Sequence, residues 1–150
     1  MSDPNSAVAQ VNVVPALPVE AVRFHAGAIE IIDQTLLPHE FYVLHSTDLE
    51  TLCEAIRSLR VRGAPAIGVA AAYGMRLVAE RFAQAGHSDA EALRRELQTA
   101  ATQLAATRPT ARNLFWVLER IAQVLGAAPT SVAGIVDAVS AAARAVHEED

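Results

Sequence analysis

Between Arg62 and Arg76 the chain runs for 13 residues, Gly63 to Met75, without a single charge. The run is too short to cross a bilayer, which takes about 20 apolar residues. It is rich in Ala and opens with Gly63-Ala64-Pro65, so it reads as a helix that starts near Pro65 and continues to about Phe82. Up to Met75 that helix is apolar on nearly every side. Such a helix belongs in a core, packed against close neighbours. The rest of the chain must therefore supply elements that surround it.

The flanking sequence has the right patterns for that task. Thr47-Asp48-Leu49-Glu50 matches a capping box, with Thr47 as the cap. Leu49, Leu52, Cys53, Ile56 and Leu59 follow at helical spacing, and Arg57 and Arg60 fall in the last turn, where the dipole favours cations. Ser88-Asp89-Ala90-Glu91 is a second capping box, ahead of the stripe Leu93, Leu97, Ala100 and Leu104. Pro109 opens a helix with Leu114, Val117, Leu118 and Ile121 inward, ending near Gly126. Pro129-Thr130 opens the last, with Val132, Ile135, Val136, Val139 and Val146 apolar. Phe115 and Trp116 are expected at core or interface positions. Ahead of the helices, Ala28–Asp33 alternates with a period near two and Phe41–Leu44 is aromatic and β-branched. Both read as strands, with turns at His25-Ala26-Gly27 and Leu37-Pro38-His39-Glu40. The expected class is α+β, mainly α: short amino-terminal strands, then a bundle of about five helices. Residues 1–21, rich in proline and small polar residues, form a flexible lead-in, and residues 22–150 form the domain.

Charge narrows the function. The 150 residues carry a net charge of −5, which argues against nucleic acid, because such binders show a basic face. No membrane partner is expected. One cysteine, Cys53, rules out an internal disulfide and lies on an apolar stripe, so it reads as core. A reducing, cytoplasmic setting fits this, as does an amino terminus without a signal-peptide pattern. The five histidines show no pair at metal-ligand spacing on one helix, so no metal site is assigned. Asp33-Gln34-Thr35 ends a strand, as a turn or facing a site. Asn113 is expected to bond locally to backbone.

Two helix starts share an unusual feature. Arg62 precedes Pro65 and Arg108 precedes Pro109, at the end of a helix where acids are favoured, and neither start has an acid in its first turn. Free helix amides beside a guanidinium form an anion site, and Gly63 lets backbone approach a ligand. The alternative is that each arginine caps a neighbouring helix or lies in solvent.

The stretch Arg62-Gly63-Ala64-Pro65-Ala66-Ile67-Gly68-Val69-Ala70-Ala71-Ala72-Tyr73-Gly74 resembles the S-methyl-5-thioribose-1-phosphate isomerases of methionine salvage. Ile32–Pro38, with its Asp33-Gln34-Thr35, and Thr107-Arg108-Pro109-Thr110-Ala111 with Asn113–Trp116 agree in order and spacing. The closing Glu149-Asp150 is similar to the end of the family's helical domain. Arg112 departs from the pattern, which has an apolar residue there. The resemblance implies an aldose–ketose isomerisation without cofactor, a small sugar phosphate as ligand, and a homo-oligomer. It places substrate binding at Arg62, Gly63, Ala64 and Arg108. It puts the catalytic cysteine and aspartate in a carboxy-terminal Rossmann-like domain that these 150 residues lack, so no catalytic residue is assigned here and the chain alone is expected to be inactive. Two alternatives share the fold: a ribose-1,5-bisphosphate isomerase fragment, and a non-catalytic regulatory or dimerisation module such as the regulatory subunits of the translation-initiation exchange factor.

Overall fold

The computed structural model of the chain describes residues 9–11, 20–127 and 130–149. It contains strands β1 (Ala9–Val11), β2 (Val22–His25), β3 (Ala28–Ile32) and β4 (Phe41–Ser46). Helices α1 (Leu49–Arg57), α2 (Ala64–Gln84), α3 (Ala90–Thr107), α4 (Arg112–Ala127) and α5 (Val132–Glu149) follow. The expected order of strands then five helices is what the chain adopts. The sheet, ordered β1-β4-β3-β2, is antiparallel throughout. Its outermost strand β1, paired with β4, lies inside the stretch read from sequence as a lead-in.

β2 and β3 are joined by Ala26 and Gly27 with φ of 53° and 76°, and His25 pairs with Ala28. Positive φ at both positions is the two-residue turn whose twist matches the strands it joins. One sheet face carries Val22, Phe24, Ile29 and Ile31 toward the helices, and Ile29 and Ile31 are fully buried. The opposite face holds Glu30, which pairs with Arg23 and with His45 at 2.9 Å.

α2 is the hub. Ile67 through Met75 is buried without interruption, and the helix packs against all four other helices and against β2 and β3. Small residues make this possible. A Cβ on Gly74 would lie 2.6 Å from Leu52 Cδ2, and one on Gly68 would lie 2.5 Å from Asn113 Nδ2. The stripes of α3 (Leu93, Leu97, Ala100, Leu104) and α4 (Leu114, Val117, Leu118, Ile121) are buried as their spacing requires, and so are Ile135, Val139 and Val146 of α5.

Several local expectations are corrected. The caps are Asp48, which accepts from Thr51 N at 2.7 Å, and Asp89, which accepts from the amides of Glu91 and Ala92. In both cases the carboxylate one residue inside the expected Thr47 or Ser88 takes the cap, where its charge also meets the positive end of the dipole. Arg60 lies beyond α1, not in its last turn. α4 begins at Arg112, not at Pro109, which sits in the turn before it. α5 begins at Val132; Pro129 and Asp150 lie outside the described residues. Leu59 (42% exposed), Phe115 (42%) and Trp116 (53%) are surface residues, not core.

Candidate functional site

The 21-residue α2 begins at a glycine. Gly63 is its N-cap, with φ 90° and ψ 139°, and no side chain caps the helix. A Cβ there would meet nothing within 4 Å, so it is conformation and not space that calls for glycine. Pro65 in the first turn contributes no N–H. The remaining first-turn amides lie at the positive end of the dipole, with no acidic residue in that turn and no side-chain cap.

Asn113 links this helix start to another. Its Nδ2 donates to Ala64 O at 2.6 Å, from the first turn of α4. The bond is therefore long-range, not the local one expected. α4 also has no acid in its first turn. Two helix N-termini thus meet, and between them lies a cavity of about 400 Å³. Arg62, Gly63, Ala64 and Arg108, the four residues singled out from sequence, all line it.

Arg108 arrives there by a different route from the one expected. It is the C-cap residue of α3, with φ −143°. A cation is favoured at that end of a helix, so its position has a local electrostatic explanation as well. Arg112, the departure from the family pattern, is the third guanidinium on the wall. Sequence reasoning did not promote it, although its place at a helix start beside Arg108 was the available signal. Leu59, with φ 65°, and Ile67 add apolar surface. Among the described residues no carboxylate lines the cavity and none pairs with Arg62, Arg108 or Arg112. Three guanidiniums and two sets of helix amides around one cavity, unneutralised, suit a multiply charged oxyanion such as phosphate.

The other polar candidates fall elsewhere. Cys53 is buried in the core, and burial pushes its thiol above the ordinary value, with Arg57 opposing. No group of three His, Cys, Asp or Glu stands where it could hold a metal among the described residues. Asp33 is buried and takes the guanidinium of Arg60 at 2.6 Å. Among the described residues no helix is long and apolar enough to cross a membrane.

A mainly helical domain with an arginine-lined cavity at converging helix starts is what this fold and site define. The chain belongs to the Initiation factor 2 subunit family, whose sequence model matches residues 60–150. It is 43% identical over 134 residues to the 5-deoxyribose 1-phosphate isomerase of Moorella thermoacetica, covering 89% of this chain and 37% of that one. It is 46% identical over 125 residues to the methylthioribose-1-phosphate isomerase of Symbiobacterium thermophilum, covering 83% and 34%. Among solved structures, 5-methylthioribose 1-phosphate isomerase from Pyrococcus horikoshii superposes with a TM-score of 0.82 at 36% identity, over 90% of this chain and 37% of that one. The translation initiation factor eIF-2B, subunit delta, from A. fulgidus superposes at 0.79 with 38% identity, over 89% and 38%. The chain spans little more than a third of the length of the relatives it matches.

Proposed function

We propose that this chain forms the phosphate-holding wall of an aldose–ketose isomerase that converts S-methyl-5-thioribose 1-phosphate to its ribulose isomer. The observation that carries the reading is the convergence of Arg62, Gly63, Ala64 and Arg108 on one cavity that no carboxylate lines among the described residues. Arg62 and Arg108 grip the phosphate through charge-assisted bonds, and the amides beside Gly63 complete the cradle. Residues 22–150 act as one domain. The names of the relatives support a sugar-phosphate isomerase, both 5-deoxyribose and methylthioribose 1-phosphates being represented. Because the chain spans about a third of those relatives, the groups that move the protons or hydride are assigned to the part of them it does not cover. The chain by itself binds substrate and does not turn it over; the working enzyme is a cytoplasmic homo-oligomer.

Titration with methylthioribose 1-phosphate tests this. Arg62→Ala should weaken binding about ten- to a hundredfold, since a charge-assisted hydrogen bond contributes roughly 1.5–3 kcal/mol. Unchanged affinity in the variant, or turnover by the 150-residue chain, refutes the reading. A second reading, a non-catalytic regulatory module, draws on the likeness to the initiation-factor subunit. It predicts no sugar-phosphate binding at all.

A further inference from the structure

Arg62 sits on a six-residue connection between α1 and α2, Ser58 to Gly63, that contains two positive-φ residues, Leu59 and Gly63. Such a segment has no helical or sheet ladder of its own to hold it. Ser58, Leu59 and Val61 each donate one backbone bond back to α1, and the most heavily tied residue is Arg60, bonded in four directions. Its backbone N–H donates to Ala55 O at 2.9 Å, and its carbonyl accepts from Gln34 N at 2.9 Å. Its guanidinium Nε donates to both carboxylate oxygens of Glu54, at 3.2 and 3.1 Å, and its NH1 donates to Asp33 Oδ2 at 2.6 Å. Asp33 is itself locked. Its side chain is 1% exposed, and its other oxygen accepts from the backbone N–H and the hydroxyl of Thr35, at 2.9 and 2.5 Å.

A carboxylate so far from water is costly unless it is paired and hydrogen-bonded, and here a salt bridge and two hydrogen bonds engage both of its oxygens. Val61, 1% exposed, then pins the chain in the core, and the next residue is Arg62. Two arginines two residues apart thus have opposite surroundings: Arg60 is neutralised by two acids, whereas among the described residues no carboxylate pairs with Arg62.

We propose that Asp33, acting through Arg60, is a positioning residue for Arg62, fixing the 58–63 connection so that the Arg62 guanidinium and the Gly63 helix start face the cavity together. The proposal rests on the phosphate-binding reading above. It gives the Asp33-Gln34-Thr35 turn a part in the site although none of its residues lines the cavity.

A double-mutant cycle on the 150-residue chain tests it, with methylthioribose 1-phosphate as the probe and Asp33→Asn crossed with Arg62→Ala. The substituted amide keeps the shape of the carboxylate and can still accept from Thr35, and Arg60 keeps Glu54, so the variant is designed to remain folded. Positioning predicts that Asp33→Asn weakens binding about five- to tenfold in the wild-type background and by a clearly smaller factor once Arg62 is replaced by alanine, when only the Gly63 helix start is left to misplace. Arg60→Lys, which keeps a charge for Asp33 but lacks the fork that joins it to Glu54, should fall between wild type and Asp33→Asn. A folded Asp33→Asn chain with full affinity overturns the proposal. So does an equal fold-loss in both Arg62 backgrounds, or failure of both Asp33→Asn and Arg60→Lys to fold, either of which assigns the pair to stability alone. If the wild-type chain binds no sugar phosphate, the phosphate reading itself falls and takes this inference with it. That result is distinct, because Arg62→Ala then has nothing to lose.

Discussion

Gly68→Ala tests the joint between the two helix starts. Three effects compete. In a helix interior alanine is favoured over glycine by about 0.8–1.0 kcal/mol, which by itself would stabilise α2. Against this, the new Cβ lies 2.5 Å from Asn113 Nδ2 and 3.1 Å from Val117 Cγ2. The Asn113 amide can swing away, but only by giving up its bond to Ala64 O, worth about 0.5–1.5 kcal/mol. Val117 is fully buried, and overpacking of a filled core costs about 1–3 kcal/mol. The sum is a net destabilisation of about 0.5–3.5 kcal/mol, read as a lower urea midpoint at unchanged slope. Because Asn113 is the group that must move, the same substitution in an Asn113→Ala background should cost less by roughly the value of the lost bond. A Gly68→Ala chain as stable as wild type would refute the close approach of α2 and α4. Equal costs in the two backgrounds would show that Asn113 is not the obstacle.

Two further outcomes follow from the charges and the thiol. Three carboxyls are held below their ordinary range: Glu54 by the hydrogen bond from Arg60, Glu149 by the hydrogen bond from Arg120, and Glu30, where burial raises the value but Arg23 and His45 outweigh it. A depressed folded value means the stabilisation is complete above the ordinary glutamate value, about 4.3, and is lost as the pH falls through the depressed ones. Urea midpoints should therefore drop on acidification below about pH 4, and Glu30→Gln should shrink that drop; a flat profile to about pH 3 contradicts it. Cys53, buried and with its thiol pushed up by burial, should react with iodoacetamide roughly tenfold or more slowly in the native chain than in urea. Equal rates would place the thiol outside the core.

The helices were readable because their stripes are long and their partners numerous. α3 and α4 each bury the residues that spacing alone selects. What failed to read was anything settled by a single bond or by a neighbour distant in sequence. Thr47 and Asp48 are both good caps, and the choice fell to the residue whose backbone is extended, Asp48 at φ −144°. Pro109 has the dihedral of a first helical residue, yet Ala111 N bonds to Arg108 O in a turn and delays α4 to Arg112. Leu59 continues the apolar stripe of α1, but the helix ends at Arg57 and the chain reverses there through a positive φ. The four candidate site residues could be chosen from local chemistry and resemblance. That they share a cavity, and that Arg112 joins them, depends on how α2, α3 and α4 cross, which no local pattern encodes.

The burial of α2 on every side from Ile67 to Met75 has a consequence for how this chain can vary in length. Each residue advances a helix by about 100°, so one inserted or deleted residue between Ile67 and Met75 would rotate everything beyond it out of phase. A surface helix can absorb such a slip by sliding its apolar stripe. α2 has no stripe to slide, because its neighbours are four helices and two strands. Gly68 and Gly74 would no longer face Asn113 and Leu52, and bulkier side chains would arrive at contacts shaped for hydrogen atoms. Length changes should be tolerated instead in segments such as residues 85–88, which are exposed and lie between α2 and the Asp89 cap of α3. The distance from Arg62 to the far end of the domain is thereby held constant in register, and the helix serves as a ruler for the whole fold.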